Sequence, residues 1–186
     1  TMAICVTTMP AAGADLCNFN LHFGRIDAFL YTRAEATDAM TLASDAAEWA
    51  DRIDNAAALT ASGTPAPIRY HYVIGEWPLP ERTEIEVSAG RTSYSAAKHS
   101  LTLDIDDTGT TNTALLATEQ ATTKRRRVWI IADGQLHGGA SGYLMDVTYL
   151  GLIIPRVKTE KQIIQVGLKY EGNQTAPITS VVPIFS

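Results

Sequence analysis

The chain has 186 residues, 46% of them hydrophobic, with a net charge of −5 and a pI near 5.3. That size suits one globular domain whose core needs no metal or disulfide, and the acidic balance argues against a general nucleic-acid binder, which carries a basic domain. Charged residues are only 19%, below the roughly 25% of ordinary soluble domains, as expected of a surface partly covered by other subunits or simply of a chain rich in Ala, Thr, Ser and Gly.

Residues 3–8 read as a short strand ending at Pro10, and Arg25 to Thr32 as a second strand. Cys5 and Cys17 lie in neither a CxxC nor a zinc-spaced His/Cys cluster. They read as two buried thiols, or as a local disulfide if their segments pair as a hairpin. Leu42, Ala46, Trp49, Ala50, Ile53 and Ala57 recur at three- and four-residue spacing, which predicts an amphipathic helix over 45–58. Ser44 or Asp45, the latter with Glu48 as a capping box, starts it, and Trp49 anchors it on a sheet. Gly63, Pro65 and Pro67 then break the chain.

The period changes to two at Ile68, Tyr70, Tyr72 and Ile74, with Arg69 and His71 on the opposite side. Pro78 and Pro80 turn the chain, and Ile85 and Val87 resume the alternation. Leu101, Leu103 and Ile105 alternate with Thr102, Asp104 and Asp106, a half-exposed antiparallel strand. A short helix is expected from Asn112 as N-cap through Leu115, Leu116 and Glu119. The basic run Lys124, Arg125, Arg126 and Arg127 reads as a solvated turn. Its functional alternative is an inter-subunit charge contact with acids such as Asp104, Asp106 and Asp107.

Val128 to Ile131 is an apolar, buried strand followed by a turn at Asp133-Gly134. Gly134, Gly138, Gly139 and Gly142, with His137 among them, need positive φ or close backbone approach. An irregular hairpin explains them, and so does a loop packed against a neighbouring subunit. Tyr143 to Tyr149, Ile164 to Tyr170 and Ile178 to Phe185 read as closing strands, and the apolar run Tyr149 to Ile154 is too short to span a bilayer. The whole predicts one β-rich domain, with N-terminal strands and the helix in 1–67 and the main sheet in 68–186. Its expected architecture is an antiparallel β-sandwich or barrel with one amphipathic helix packed on it and a second short helix.

No constellation of catalytic, metal-binding or cofactor-binding residues stands out, so the chain reads as a non-enzyme without cofactor. His22, His71, His99 and His137 are far apart in sequence, and Asp104, Asp106 and Asp107 lack the spacing of a calcium loop. Gly139-Ala140-Ser141-Gly142 has Tyr143 where a nucleophile elbow needs its last glycine.

Several segments together resemble the major tail, or tail tube, proteins of tailed bacteriophages. They are Arg91 to Tyr94, Lys98 to Asp107, Val128 to Ile131, Asp133 to Gly139 with Ser141-Gly142, and Ile154-Pro155-Arg156 before the strand Gln162 to Tyr170. The resemblance covers roughly residues 68–186, and the N-terminal third with its helix departs from it. It implies a virion protein, assembled in the host cytoplasm, whose six-fold rings stack into a tube. Its partners would be copies of itself and other virion proteins, with DNA passing transiently through the lumen and no membrane involved. Two other readings stand beside it. One is a capsid decoration, head-fibre or connector protein. The other is a carbohydrate-binding β-sandwich, for which Trp77, beside Pro78, is the credible stacking platform because Trp49 is helical and Trp129 lies in an apolar strand.

Overall fold

The computed structural model describes residues 25–36, 46–59, 65–88, 91–157 and 159–174. In chain order its elements are β1 (Ile26–Arg33), α1 (Ala46–Ile53), β2 (Arg69–Gly75), β3 (Glu84–Ser88), β4 (Arg91–Tyr94) and β5 (Lys98–Ile105). They continue with α2 (Thr110–Glu119), β6 (Thr123–Ala132), β7 (Gln135–His137), β8 (Tyr143–Ile153) and β9 (Ile163–Glu171). Cys5, Cys17, His22 and the expected strands at 3–8 and 178–185 lie outside the described residues.

Alternating side chains make the long strands two-faced, and that forces the sheet to bury one face. In β5 the residues His99, Leu101, Leu103 and Ile105 are buried between exposed or half-buried neighbours. In β8 the buried set is Tyr143, Met145, Val147 and Tyr149, and in β9 it is Ile164, Val166 and Leu168. The strands order as β1-β2-β5-β9-β8-β6, and β1 pairs with β6 as well as with β2, every ladder antiparallel. The protein is therefore mainly β, and its sheet closes on itself as a six-stranded antiparallel barrel. Closure removes the free edges of the sheet. β7 folds back on β6, and β3 and β4 form a separate hairpin.

One apolar cluster fills the barrel, built from Phe29, Val73, Leu103, Val128, Met145 and Val166 among others. A bulge in β1 between Ile26 and Ala28 lets Ile26 and Phe29 both join it. A second cluster lies outside the wall, where α1 covers β1 and β6. Trp49 is 1% exposed and meets Trp129 edge to face at 5.4 Å, with Leu30, Ile68 and Leu136 around them. Burying side chains of this size contributes about 1.5–3 kcal/mol each, which is what holds so short a helix in place.

Four local expectations change. Tyr70, Tyr72 and Ile74 face outward and are exposed, while His71 and Val73 are buried in the barrel. The apolar-looking face of β2 is the outer one because the polar tip of His71 finds two tyrosine hydroxyls inside. The basic run is not a solvated turn: Lys124 to Arg127 lie within β6, and Arg126 is buried. α2 starts at Thr110 behind Gly109 instead of at Asn112. Asn112 instead donates from Nδ2 to the backbone oxygen of Asp107 at 2.9 Å and to its Oδ2 at 3.1 Å. The first helix also ends at Ile53, short of Ala57.

Candidate functional site

The barrel has two ends, each closed differently. At one end β1 and β5 finish and β2 and β6 begin, and α2 lies across the opening. Here Glu119, 8% exposed, accepts from Arg126 Nη2 at 2.8 and 2.9 Å and from Lys124 Nζ at 2.9 Å. The Arg126 guanidinium sits 5.1 Å from the centroid of the Tyr31 ring, a cation–π contact. His71 Nε2 lies 3.3 Å from the Tyr31 hydroxyl and 3.1 Å from that of Tyr149. Burial drives the His71 pKa down to about 4, so it is neutral near pH 7, and burial pushes both tyrosines up. Although desolvation opposes it, the two cations hold the Glu119 carboxyl below its usual range. Above this network opens a cavity of about 680 Å³ between α2, β1, β2 and β6.

The opposite end is closed by aromatic rings. Trp77 packs against His99, His137, Tyr143 and Tyr170 with centroids 5.6–6.3 Å apart. Its Nε1–H donates to His99 Nδ1 at 3.0 Å, which places the proton of neutral His99 on Nε2. That nitrogen is buried beside the backbone of Gly172, and the Tyr170 ring stacks on His99 at 4.4 Å. Burial lowers the pKa of both His99 and His137. Trp77 is thus half-buried in a plug, not an exposed platform for sugars.

From this aromatic end projects the β3–β4 hairpin. Every residue of both strands is exposed, including Ile85 (50%), Val87 (66%) and Tyr94 (61%). It is tied to the barrel by reciprocal Glu81–Lys98 backbone bonds of 2.9 Å, and Thr83–Ser95 bonds of 2.8 Å close its own base.

The glycine loop works inside the chain. Gly134, Gly138, Gly139 and Gly142 all have positive φ. A Cβ on Gly138 or Gly142 would meet the Trp129 ring at 2.9 or 3.0 Å. Trp129 Nε1–H donates to the Gly139 carbonyl at 2.8 Å, and Arg127 Nη1 donates to that of Ser141 at 3.2 Å. The loop is the lid over Trp129.

The charged groups also find partners within the chain. Lys124 and Arg126 pair with Glu119, Arg125 with Asp146 at 3.3 Å, and Arg127 Nε donates to the Ala34 carbonyl. Asp104 accepts from Gln165 Nε2 at 3.2 Å, and Asp106 faces Lys161 at 3.5 Å. The basic run and these aspartates do not pair with each other in one copy. Arg126 is buried and held by Glu119 within the same chain. Glu119, His71 and His99 carry no sequence signal of their own, because their partners lie 7, 78 and 22 positions away. Among the described residues no three His, Cys, Asp or Glu side chains gather as a metal site. No helix there is long and apolar enough to cross a membrane.

No family model, curated protein or solved structure matches the chain.

Proposed function

We propose that this protein is a non-enzymatic structural component of a virion that works by assembling with copies of itself. The hexameric rings of a phage tail tube are the assembly that the sequence resemblance implies. The observation that carries the reading is the β3–β4 hairpin. Two strands on their own are marginally stable in water, yet among the described residues this hairpin is hydrogen-bonded to the barrel at its base alone and displays Ile85, Val87 and Tyr94 to solvent. An apolar arm of this kind gains stability when it lies on another subunit. Because the arm and the surface receiving it are different parts of the molecule, the contact is heterologous and generates rings or open stacks. Further exposed apolar residues, Ile74 on β2 and Ile153, Ile154 and Val157 at the end of β8, offer landing surface.

Negative-stain microscopy of the purified chain tests the proposal. Rings or tubes are expected, and Ile85→Asp with Val87→Asp should abolish them while circular dichroism stays unchanged. Discrete small oligomers would favour a decoration or connector role. Monomers at every concentration would end the proposal.

A further inference from the structure

We infer that copies of this chain join end to end, the β3–β4 arm of one seating on the turn between β8 and β9 of the next. This contact rests on the self-association proposed above and names the surface that receives the arm. The ladders put the two surfaces at opposite ends of the barrel. The arm is rooted at Glu81 beside Lys98, where β5 begins. The turn leaves the wall at Ile153, paired with Ile163, one rung past the Ile105–Ile164 pair at which β5 finishes. From Lys98 to Ile105 the strand climbs about 23 Å at roughly 3.3 Å per residue. Ile85 and Val87 at one end and Ile153, Ile154 and Val157 at the other are all exposed, so neither surface is covered within one chain.

The two surfaces also match in chemistry. β3 alternates Glu84, Ile85, Glu86 and Val87, and among the described residues β4 is the one strand it pairs with, which leaves its outer edge open. Seated edge-on, such a strand offers Ile85 and Val87 to one side and Glu84 and Glu86 to the other. The turn presents the complement, with exposed Arg156 between Ile154 and Val157. Among the described residues Glu84, Glu86 and Arg156 have no ion-pair partner, whereas Lys161 further along the turn already faces Asp106 at 3.5 Å. Charge and apolar contact thus favour the same docking. The exposed strip of Tyr70, Tyr72 and Ile74 suits the arm less, because Ile74 stands opposite Asp104 of β5, whose carboxylate would repel Glu84 and Glu86. One molecule carries both halves of the contact, which commits the occupant to a second copy. Joining unlike ends leaves a free arm at one tip and a free turn at the other, so the contact repeats without closing.

Mixing two defective forms of the full chain tests the contact. Ile85→Asp with Val87→Asp spoils the arm and keeps the turn, and Ile154→Asp with Val157→Asp spoils the turn and keeps the arm. By sedimentation velocity each form alone should be a monomer with unchanged circular dichroism. An equimolar mixture should give a complex of two copies and go no further, since its one intact arm and one intact turn are then used up. In the otherwise native chain, Arg156→Glu should weaken association about tenfold through like-charge repulsion, and adding Glu84→Lys with Glu86→Lys should restore it. Should the native chain assemble while the turn variant assembles equally well, the mixture stays monomeric, or the charge reversal brings no rescue, the arm lands elsewhere; this contact falls and self-association stands. A native chain that is monomeric at every concentration removes self-association first, and the contact with it. If the turn variant loses its circular dichroism, the charge-reversal set alone decides, rescue supporting the contact and its absence overturning it.

Discussion

Replacing Gly138 by alanine should cost far more stability than the same change at Gly134, only four positions earlier. Gly134 has φ +69° and nothing within 4 Å of an added Cβ. Gly134→Ala therefore incurs the left-handed backbone penalty of about 1–2 kcal/mol, less the unfolded-state gain of about 0.4–1 kcal/mol, for a net loss near 1 kcal/mol. Gly138 has φ +123°, and its Cβ would stand 2.9 Å from Trp129 Cδ1 and 3.2 Å from the Val128 carbonyl oxygen. Strain in that glycine-only region adds about 1–3 kcal/mol, and overpacking a ring already buried between α1 and the wall adds about 1–3 kcal/mol more. The expected loss is about 3–4 kcal/mol, so the two variants should differ by about 2–3 kcal/mol, or roughly 4–12 °C in Tm for a chain of this size. Urea and thermal unfolding, followed by Trp fluorescence at a concentration where the protein is monomeric, read both numbers. If Gly138→Ala and Gly134→Ala fall within about 0.5 kcal/mol of each other, the loop is not the lid over Trp129. An association defect at unchanged stability would return it to the role of subunit contact.

Other outcomes follow from the buried polar groups. His71 has a folded pKa near 4 against 6.5 in the unfolded chain, so the unfolded state binds more protons in acid. The stability it confers is complete above about pH 6.5 and is lost as pH falls toward 4, about 2 kcal/mol by pH 5. Unfolding at about pH 7.5 and pH 5 should show that loss, reduced in His71→Gln. Glu119→Gln strips the shared partner from Arg126 and Lys124 and should cost about 3–5 kcal/mol. The double change Glu119→Leu with Arg126→Met should recover much of it, and equal losses in the single and double variants would refute the coupling. On the hairpin, Ile85→Asp should move monomer stability by less than about 0.5 kcal/mol, and a larger drop in urea midpoint would show that the arm packs on its own barrel.

The strands whose two faces differ in chemistry were legible from sequence. Leu101, Leu103 and Ile105 in β5 and Tyr143 to Tyr149 in β8 alternate as read and are buried as read. Trp49 was legible too, since a helix with one apolar stripe has to bury its largest ring. β2 misled because tyrosine is amphipathic: Tyr70 and Tyr72 tolerate water, whereas His71 is acceptable inside once two tyrosine hydroxyls meet it. The basic run misled for a related reason, because a strand can bury an arginine when a helix delivers a carboxylate to it, and local pattern says nothing about Glu119 reaching Arg126. The choice between a sandwich and a closed barrel was not legible, as the β1–β6 ladder that closes the sheet joins residues about a hundred positions apart, such as Leu30 and Trp129. Of the hairpin, β3 was legible from Ile85 and Val87, but β4 escaped notice because Thr92 and Ser93 lack any core signature, a strand needing none when neither face is buried.

Sedimentation velocity over a concentration series, comparing the native chain with Ile85→Asp/Val87→Asp, is the most direct measurement of whether the projecting arm joins one copy to the next. The native chain should sediment as large, concentration-dependent species, and the double variant should run as a folded monomer of about 20.1 kDa. Identical monomeric boundaries for both, or equally large assemblies from both, would contradict the account.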